Sequence, residues 1–180
     1  MKNCDVFGVL PERVLNILED SLSEIETFDS NEFIISRSSI SKYLFFVKRG
    51  SCTIELINEH SIYEQNLVIG DVFGFETLVS STYESTVVAN AMVIVMKVKK
   101  VCLEKIMDTF PEFEESFWKK YLFSLYKMFV NRDSITFHLS HLEEDEFKEL
   151  IKNFQLIRLE VGEHTIKSDT IFLRGACKYS

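Results

Sequence analysis

Few residues of this chain are placed for covalent or metal chemistry. His138 and His141 stand three apart, and Glu143-Glu144-Asp145-Glu146 follow them. Imidazole and carboxylate donors at that spacing suit a divalent metal, but no third ligand is evident, and a helix start collects carboxylates for its dipole in any case. No G-x-S-x-G, phosphate-loop or H-E-x-x-H sequence occurs. Cys102 reads as a small core residue rather than a nucleophile. Lys97, Lys99 and Lys100 read as a solvated helix entry. The expectation is a protein with no catalytic residue, no metal and no cofactor. What remains is a turn-rich stretch, Gly70-Asp71-Val72-Phe73-Gly74-Phe75-Glu76-Thr77-Leu78, followed shortly by Tyr83-Glu84-Ser85-Thr86.

The elements that position this stretch follow from composition and period. With 180 residues, 46% apolar and 27% charged, the chain is globular, one domain or one domain and a fragment of another. The longest apolar run, Val87 to Met96, is interrupted by Asn90 and is too short to span a bilayer. No basic region followed by an apolar stretch opens the sequence, so no secretory signal is read. Cys4, Cys52, Cys102 and Cys177 lie far apart without a CxxC pair. This favours a reduced, cytoplasmic protein over a disulfide scaffold or a zinc ribbon. The net charge of −8 sits wholly in residues 1–96, which hold six Lys/Arg against fourteen Asp/Glu. Such a front half repels phosphate backbones and anionic membranes, so nucleic acid is not an expected partner.

Leu10, Val14, Leu15, Leu18 and Leu22 give a first helical face over 10–22, with Pro11 in its first turn. Short β-branched and aromatic runs follow at 32–35, 43–47, 52–57, 67–69 and 86–98, punctuated by Gly50, Gly70 and Gly74. Short strands at close spacing predict a compact β-sandwich or roll. Val101, Lys105-Ile106 and Met107 suit a short helix. Phe113, Phe117, Trp118, Tyr121, Leu122, Leu125 and Phe129 then mark a long amphipathic helix from about Pro111 to Asn131. Its aromatic stripe packs on the roll or a partner helix, or lids a ligand. Ser140-His141-Leu142-Glu143 reads as a capping box for a helix through Phe154. An order of helix, strand, turn, strand and Arg-Gly-x-Cys recurs: once from Leu10 to Cys52, and again from Leu142 to Cys177.

Residues 7–130 resemble a cyclic-nucleotide-binding domain, as in protein kinase A regulatory subunits, cyclic-nucleotide-gated channels and bacterial catabolite-activator-type regulators. The resemblance rests on Phe45-Phe46-Val47-Lys48-Arg49-Gly50, on Gly70-Asp71-Val72-Phe73-Gly74, on Thr86-Val87-Val88-Ala89, and on Phe110-Pro111-Glu112 before the long helix. It implies a β-roll followed by short helices and a lid or hinge helix, with residues 140–180 opening a second tandem copy. It also implies a phosphate-binding cassette in which backbone N–H groups at a short helix start hold the anion. An arginine fork adds to them, and a glutamate accepts from the ribose hydroxyl. A catabolite-activator-type regulator would continue into a DNA-reading helix, but Leu142 to Phe154 holds five acidic residues and two lysines, the wrong balance for a groove.

The cassette keeps its turn and loses its charge. Counted back from Thr86-Val87-Val88-Ala89, the family's arginine falls on Tyr83, between Thr82 and Glu84. No Lys or Arg occurs between Arg49 and Lys97, where Glu55, Glu59, Glu64, Asp71, Glu76 and Glu84 lie with His60. Phe75 takes the family's glutamate position, and either fills the nucleotide's space or packs beneath the turn. Burying a phosphate near carboxylates without a countercharge costs several kcal/mol. Asn31 and Ser38 stand where the family has glycine; Asn tolerates left-handed backbone, whereas Ser38 is expected to alter its loop.

The fold expected is therefore α+β, mainly β: a cyclic-nucleotide-binding-domain-like β-roll (jelly-roll) with flanking helices over 7–131, and a partial second copy over 140–180. Candidate ligand-binding residues are Gly74, Phe75, Glu76, Thr77, Leu78, Tyr83, Ser85 and Thr86. The function expected is a regulatory sensor module whose cyclic-nucleotide binding is weak, altered or absent. A genuine cyclic AMP or cyclic GMP receptor using backbone amides and hydroxyls is one alternative, and a protein-interaction scaffold with an empty pocket is another. The partners expected are a cyclic nucleotide or another small ligand, an effector met through the 111–131 helix, and a second copy of the chain paired at an open β-edge near Arg174-Gly175-Ala176-Cys177. The tail from 142 is expected to dock rather than fray, because Phe147, Leu150, Ile151, Phe154, Ile157 and Leu159 would otherwise expose an apolar patch.

Overall fold

Alternation of buried side chains on two faces at once builds the centre of this molecule. In the computed structural model, which describes residues 10–17, 19, 23–57, 62–130, 143–153 and 155, the strand Tyr43–Arg49 is buried from Leu44 to Val47 without a break. Successive side chains point to opposite sides of a strand. Phe45 and Val47 therefore face an inner core with Ile35, Cys52, Ile54, Leu67, Phe73 and Val87. Leu44 and Phe46 face a second core with Leu103, Ile106, Phe113, Phe117 and Trp118. One sheet thus serves as the shared wall between a β-roll and a helical layer.

The element order is α1 (Glu12–Ile17), β1 (Ser23–Phe28), β2 (Phe33–Ile35), β3 (Tyr43–Arg49), β4 (Cys52–Ile57), β5 (Ile62–Leu67), β6 (Val72–Phe73), a short 3-10 helix (Phe75–Leu78), β7 (Thr86–Ala89), β8 (Val93–Lys99), α2 (Lys100–Thr109), α3 (Pro111–Val130) and α4 (Glu144–Lys152). The strands form two four-stranded antiparallel sheets, ordered β1-β8-β3-β6 and β2-β7-β4-β5. This is the α+β, mainly β, roll with flanking helices that the sequence implied.

Several boundaries move. The run 86–98 is two strands, divided at Asn90-Ala91-Met92, and Gly50 (φ 80) closes so tightly on this turn that a Cβ there would lie 2.5 Å from the Met92 carbonyl oxygen. The run 67–69 is not a strand of its own: Leu67 ends β5, while Val68 and Ile69 lie in the following turn and are exposed. β5 escapes an apolar search because it is an edge strand, with every second side chain in solvent. Its register with β4 is unbroken from Cys52↔Leu67 to Ile57↔Ile62. Asn31 and Ser38 both adopt left-handed backbone, at φ 68 and 66; Ser38 keeps the turn expected of glycine rather than altering it.

α4 starts three residues later than the expected box. Glu143 caps it and pairs with Glu146 in a reciprocal capping box. Residues 140–142 of the expected box, Leu18, Leu22, Asn131 and Phe154 lie outside the described residues. So do His138, His141 and everything expected of the second copy beyond 155, including the edge at Arg174-Gly175-Ala176-Cys177.

Candidate functional site

The cassette is built by a left-handed hinge. β6 delivers Phe73 into the roll, where it stacks on Phe45 with centroids 5.1 Å apart. Gly74 then turns at φ 80, and a Cβ there would meet the Tyr43 carbonyl oxygen at 3.0 Å. Glycine is the residue for such a turn against backbone. The 3-10 helix follows, closing on itself through Thr77 N–H to Gly74 O at 3.2 Å and Ser80 N–H to Glu76 O at 2.7 Å.

Tyr83, where the resemblance places the family's arginine, points back into the roll. It is 5% exposed. Its hydroxyl donates to the Tyr43 carbonyl at 2.7 Å and accepts from the Tyr43 and Lys42 N–H groups at 2.9 and 3.2 Å. Its own backbone pairs with Ser38 and Ser39. A phenol used for one donated and two accepted hydrogen bonds has no capacity left for a ligand. Burial pushes its pKa up. Tyr83 rivets the end of the cassette to the start of β3, a role that arginine, which only donates, could not fill.

Glu76 is the other polar feature. Its carboxylate accepts from Ser85 Oγ at 2.9 Å. Burial pushes its pKa up, hydrogen bonds partly offset this, and the nearby Glu84 charge adds to the rise. Ser85 is fully buried, as is Thr77, whose hydroxyl donates to the Ser41 carbonyl at 3.4 Å.

A cavity of about 120 Å³ lies between this cassette and α3. Ile54, Leu56, Leu67 and Phe73 supply its apolar floor, and Lys120, Tyr121, Phe123 and Ser124 of α3 form its roof. Its ionisable walls are Asp71, Glu76, Glu84 and, from the roof, Lys120. Burial pushes the Tyr121 phenol up to about 12, and the Glu76 and Glu84 charges add to the rise. Cavities that enclose a drug-sized ligand run to roughly 300–1,000 Å³, so with α3 as it lies here the hollow is smaller than such a site.

Of the candidate ligand residues, Gly74, Phe75 and Glu76 line this cavity; Thr77, Leu78, Tyr83, Ser85 and Thr86 do not. Leu78 belongs to the helical core, and Thr86 pairs with Glu55 in the sheet. Phe75 both lines the cavity and packs beneath the lid, 5.2 Å from the Phe117 ring and 5.7 Å from Tyr121. Sequence reasoning passed over Gln65, which reaches the cavity from the edge strand β5, and Lys120 and Ser124, whose approach to the cassette is set by how α3 lies across the roll.

α3 has a second contact. Leu122 and Tyr126 pack with Phe147 and Ile151 of α4, and the Tyr126 and Phe147 rings stack 4.0 Å apart. Docking of the segment after 142 is thus observed for α4. Phe113 and Phe117 of the expected inward stripe are fully buried, and Tyr121 is partly so. The side chains of Leu125 and Phe129 lie outside the described residues. Among the described residues, no group of three or more His, Cys, Asp and Glu is arranged to hold a metal ion. No described helix is long and apolar enough to cross a membrane.

The cyclic nucleotide-binding domain family matches residues 25–110. No curated protein matches the chain by sequence. Among solved structures, the catabolite activator protein of Thermus thermophilus superposes with a TM-score of 0.59 at 16% identity, covering 67% of this chain and 58% of that one. A putative cyclic nucleotide-binding protein from Geobacter metallireducens gives 0.56 at 18% identity, covering 68% and 90%. The regulatory subunit of a cAMP-independent protein kinase A from Trypanosoma brucei gives 0.51 at 18%, covering 67% and 48%. At these identities the likeness is one of fold. The chain spans little more than half of the Thermus protein and about half of the Trypanosoma subunit.

Proposed function

We propose that this chain, whose residues 25–110 belong to the cyclic nucleotide-binding domain family, is a non-enzymatic regulatory module whose cassette has given up high-affinity cyclic-nucleotide binding. One observation carries this reading. At the arginine position, Tyr83 is buried and its hydroxyl is spent on the backbone of residues 42 and 43. The neighbouring charges on the cavity wall are three carboxylates against the single ammonium of Lys120. A cyclic phosphate entering here loses its hydration and meets carboxylates without an arginine to replace it. The Trypanosoma subunit of similar fold is described as cAMP-independent, and a triple mutant of it that gains an arginine is described as bound to cAMP. That contrast supports reading the missing arginine as a loss of the nucleotide rather than as a variation in how it is held.

The regulatory part of the reading rests on α3. It roofs the cavity on one side and meets α4 on the other, so a change beneath it is passed to whatever follows α4. An effector met through 111–131, in an intracellular signalling protein, is the partner this implies. The test is calorimetric titration of the full chain with cyclic AMP and cyclic GMP. The reading expects no saturable heat at tens of micromolar protein. A dissociation constant in the micromolar range for either nucleotide overturns it and establishes a receptor that uses backbone amides and hydroxyls.

A further inference from the structure

The geometry points to the cavity beneath α3 as a site for a compact organic cation, a ring- or branched-chain ammonium, in place of an anion. This deepens the functional reading and rests on it. The cavity joins two features that separately mean little. Its floor and sides are apolar and aromatic, with Ile54, Leu67, Phe73 and Phe75 below and Phe123 above. Its polar wall carries Asp71, Glu76 and Glu84, all from the segment between β5 and β7, against the single ammonium of Lys120. An apolar hollow with convergent polar groups is the usual form of a small-molecule site. The sign of those groups decides which molecule enters.

Size narrows the class further. A void of about 120 Å³ is comparable with the ~150 Å³ that accepts a benzene-sized guest, and too small for a base with its sugar. A bare metal ion does not fit the donor set, because among the described residues no three carboxylate, histidine or cysteine groups are arranged to share one. An ammonium on a small hydrocarbon body satisfies both halves of the wall. Its charge meets Glu76 and Glu84, and its hydrocarbon meets the apolar floor. The same carboxylates repel phosphates, so one arrangement both selects the cation and excludes the nucleotide.

Piperidinium and its neutral isostere tetrahydropyran separate charge from shape, and cyclic AMP supplies the anion. Each is titrated into the full chain and followed by thermal shift and by Trp118 fluorescence. Trp118 is the chain's one tryptophan, a buried residue of α3 in the core between that helix and the roll. Piperidinium is expected to bind saturably and at least tenfold more tightly than tetrahydropyran. That preference is expected to vanish in a Glu76→Gln, Glu84→Gln double variant shown by circular dichroism to be folded; if the double variant does not fold, Glu84→Gln alone, a change at an exposed position, is expected to reduce the preference. Equal binding of the two probes, a preference that survives these substitutions, or no binding of either probe overturns the inference while leaving the loss of cyclic nucleotide intact. Micromolar cyclic AMP binding overturns both.

Discussion

Carboxylates crowd two regions of this molecule, the edge where β1 meets β8 and the cassette beneath α3, and the two treat them in opposite ways. At the edge the charges are answered within the sheet. Glu24 lies opposite Lys97 in the register and pairs with both Lys97 and Lys99, at 3.4 and 2.8 Å. Lys97 also reaches Glu26 at 2.7 Å and sits 4.9 Å from the Tyr43 ring centroid. The Glu24 carboxyl is accordingly held below its ordinary range, first by the hydrogen bond from Lys99. In the cassette no lysine or arginine arrives from the sheet. Glu76 takes a hydroxyl as its partner, and burial lifts its pKa. The edge is a solved electrostatic problem and therefore structural. The cassette side of the cavity is left with carboxylates that no lysine or arginine of the sheet answers, and the proposed function rests on that imbalance.

The largest test of this contrast is Tyr83→Arg. It restores the family's charge at the position the sequence assigns, but it removes three hydrogen bonds to residues 42 and 43 and leaves a guanidinium in a buried position. Loss of about 3–5 kcal/mol is expected, read from the urea midpoint, without gain of cyclic AMP binding. A variant as stable as the parent that binds the nucleotide would show that the side chain at 83 swings into the cavity.

Opposite pKa shifts give opposite pH slopes. Glu24, lowered, contributes stability that is present above the ordinary carboxylate range and is lost as pH falls through its folded value. Glu76, raised, contributes stability that is full below the ordinary carboxylate range and is lost as pH rises through its folded value. Glu76→Gln should therefore flatten the decline in stability between the ordinary carboxylate pKa and neutrality, and stabilise the chain at pH 7. If it destabilises at pH 7 and leaves the slope unchanged, Glu76 is ionised and well served where it stands. Ser85→Ala, which withdraws one donor from that carboxylate, is expected to cost about 1–2 kcal/mol and to steepen the same decline. An unchanged slope there would remove the hydroxyl from the account.

The smallest effect belongs to the edge. Lys97→Ala should cost about 1 kcal/mol or less, with the loss shrinking in 1 M salt, because its partners Glu24 and Glu26 are exposed and the pairs are screened from that side. A loss of several kcal/mol, insensitive to salt, would mean that the edge network is as integral as the core.

How much of this was written in the chain differs between the same two regions. β3, β4 and the strands either side of Asn90 are rich in branched and aromatic side chains because both their faces or one whole face are buried, so they were legible. β5, with Glu64 and Asn66 in solvent, was not, since an edge strand meets only half of that demand. The absence of lysine and arginine from 50–96 was plain in the sequence and carries over to the floor and cassette side of the cavity, whose one ammonium, Lys120, comes from α3. The work of Tyr83 was not, because a phenol reaching the backbone forty residues away leaves no periodic trace. Nor was Lys120 legible as a cavity residue: on the helix it is one lysine among several, and only the crossing of α3 over the roll selects it.

The central claim is that this cassette end refuses a cyclic phosphate, and thermal denaturation of the full chain with and without millimolar cyclic AMP tests it most directly. The account predicts a melting temperature that stays within error of the ligand-free value. Ligand at 100 times its dissociation constant adds about 2.7 kcal/mol, a rise of roughly 5–10 °C for a chain of this size, and a rise of that order would contradict it.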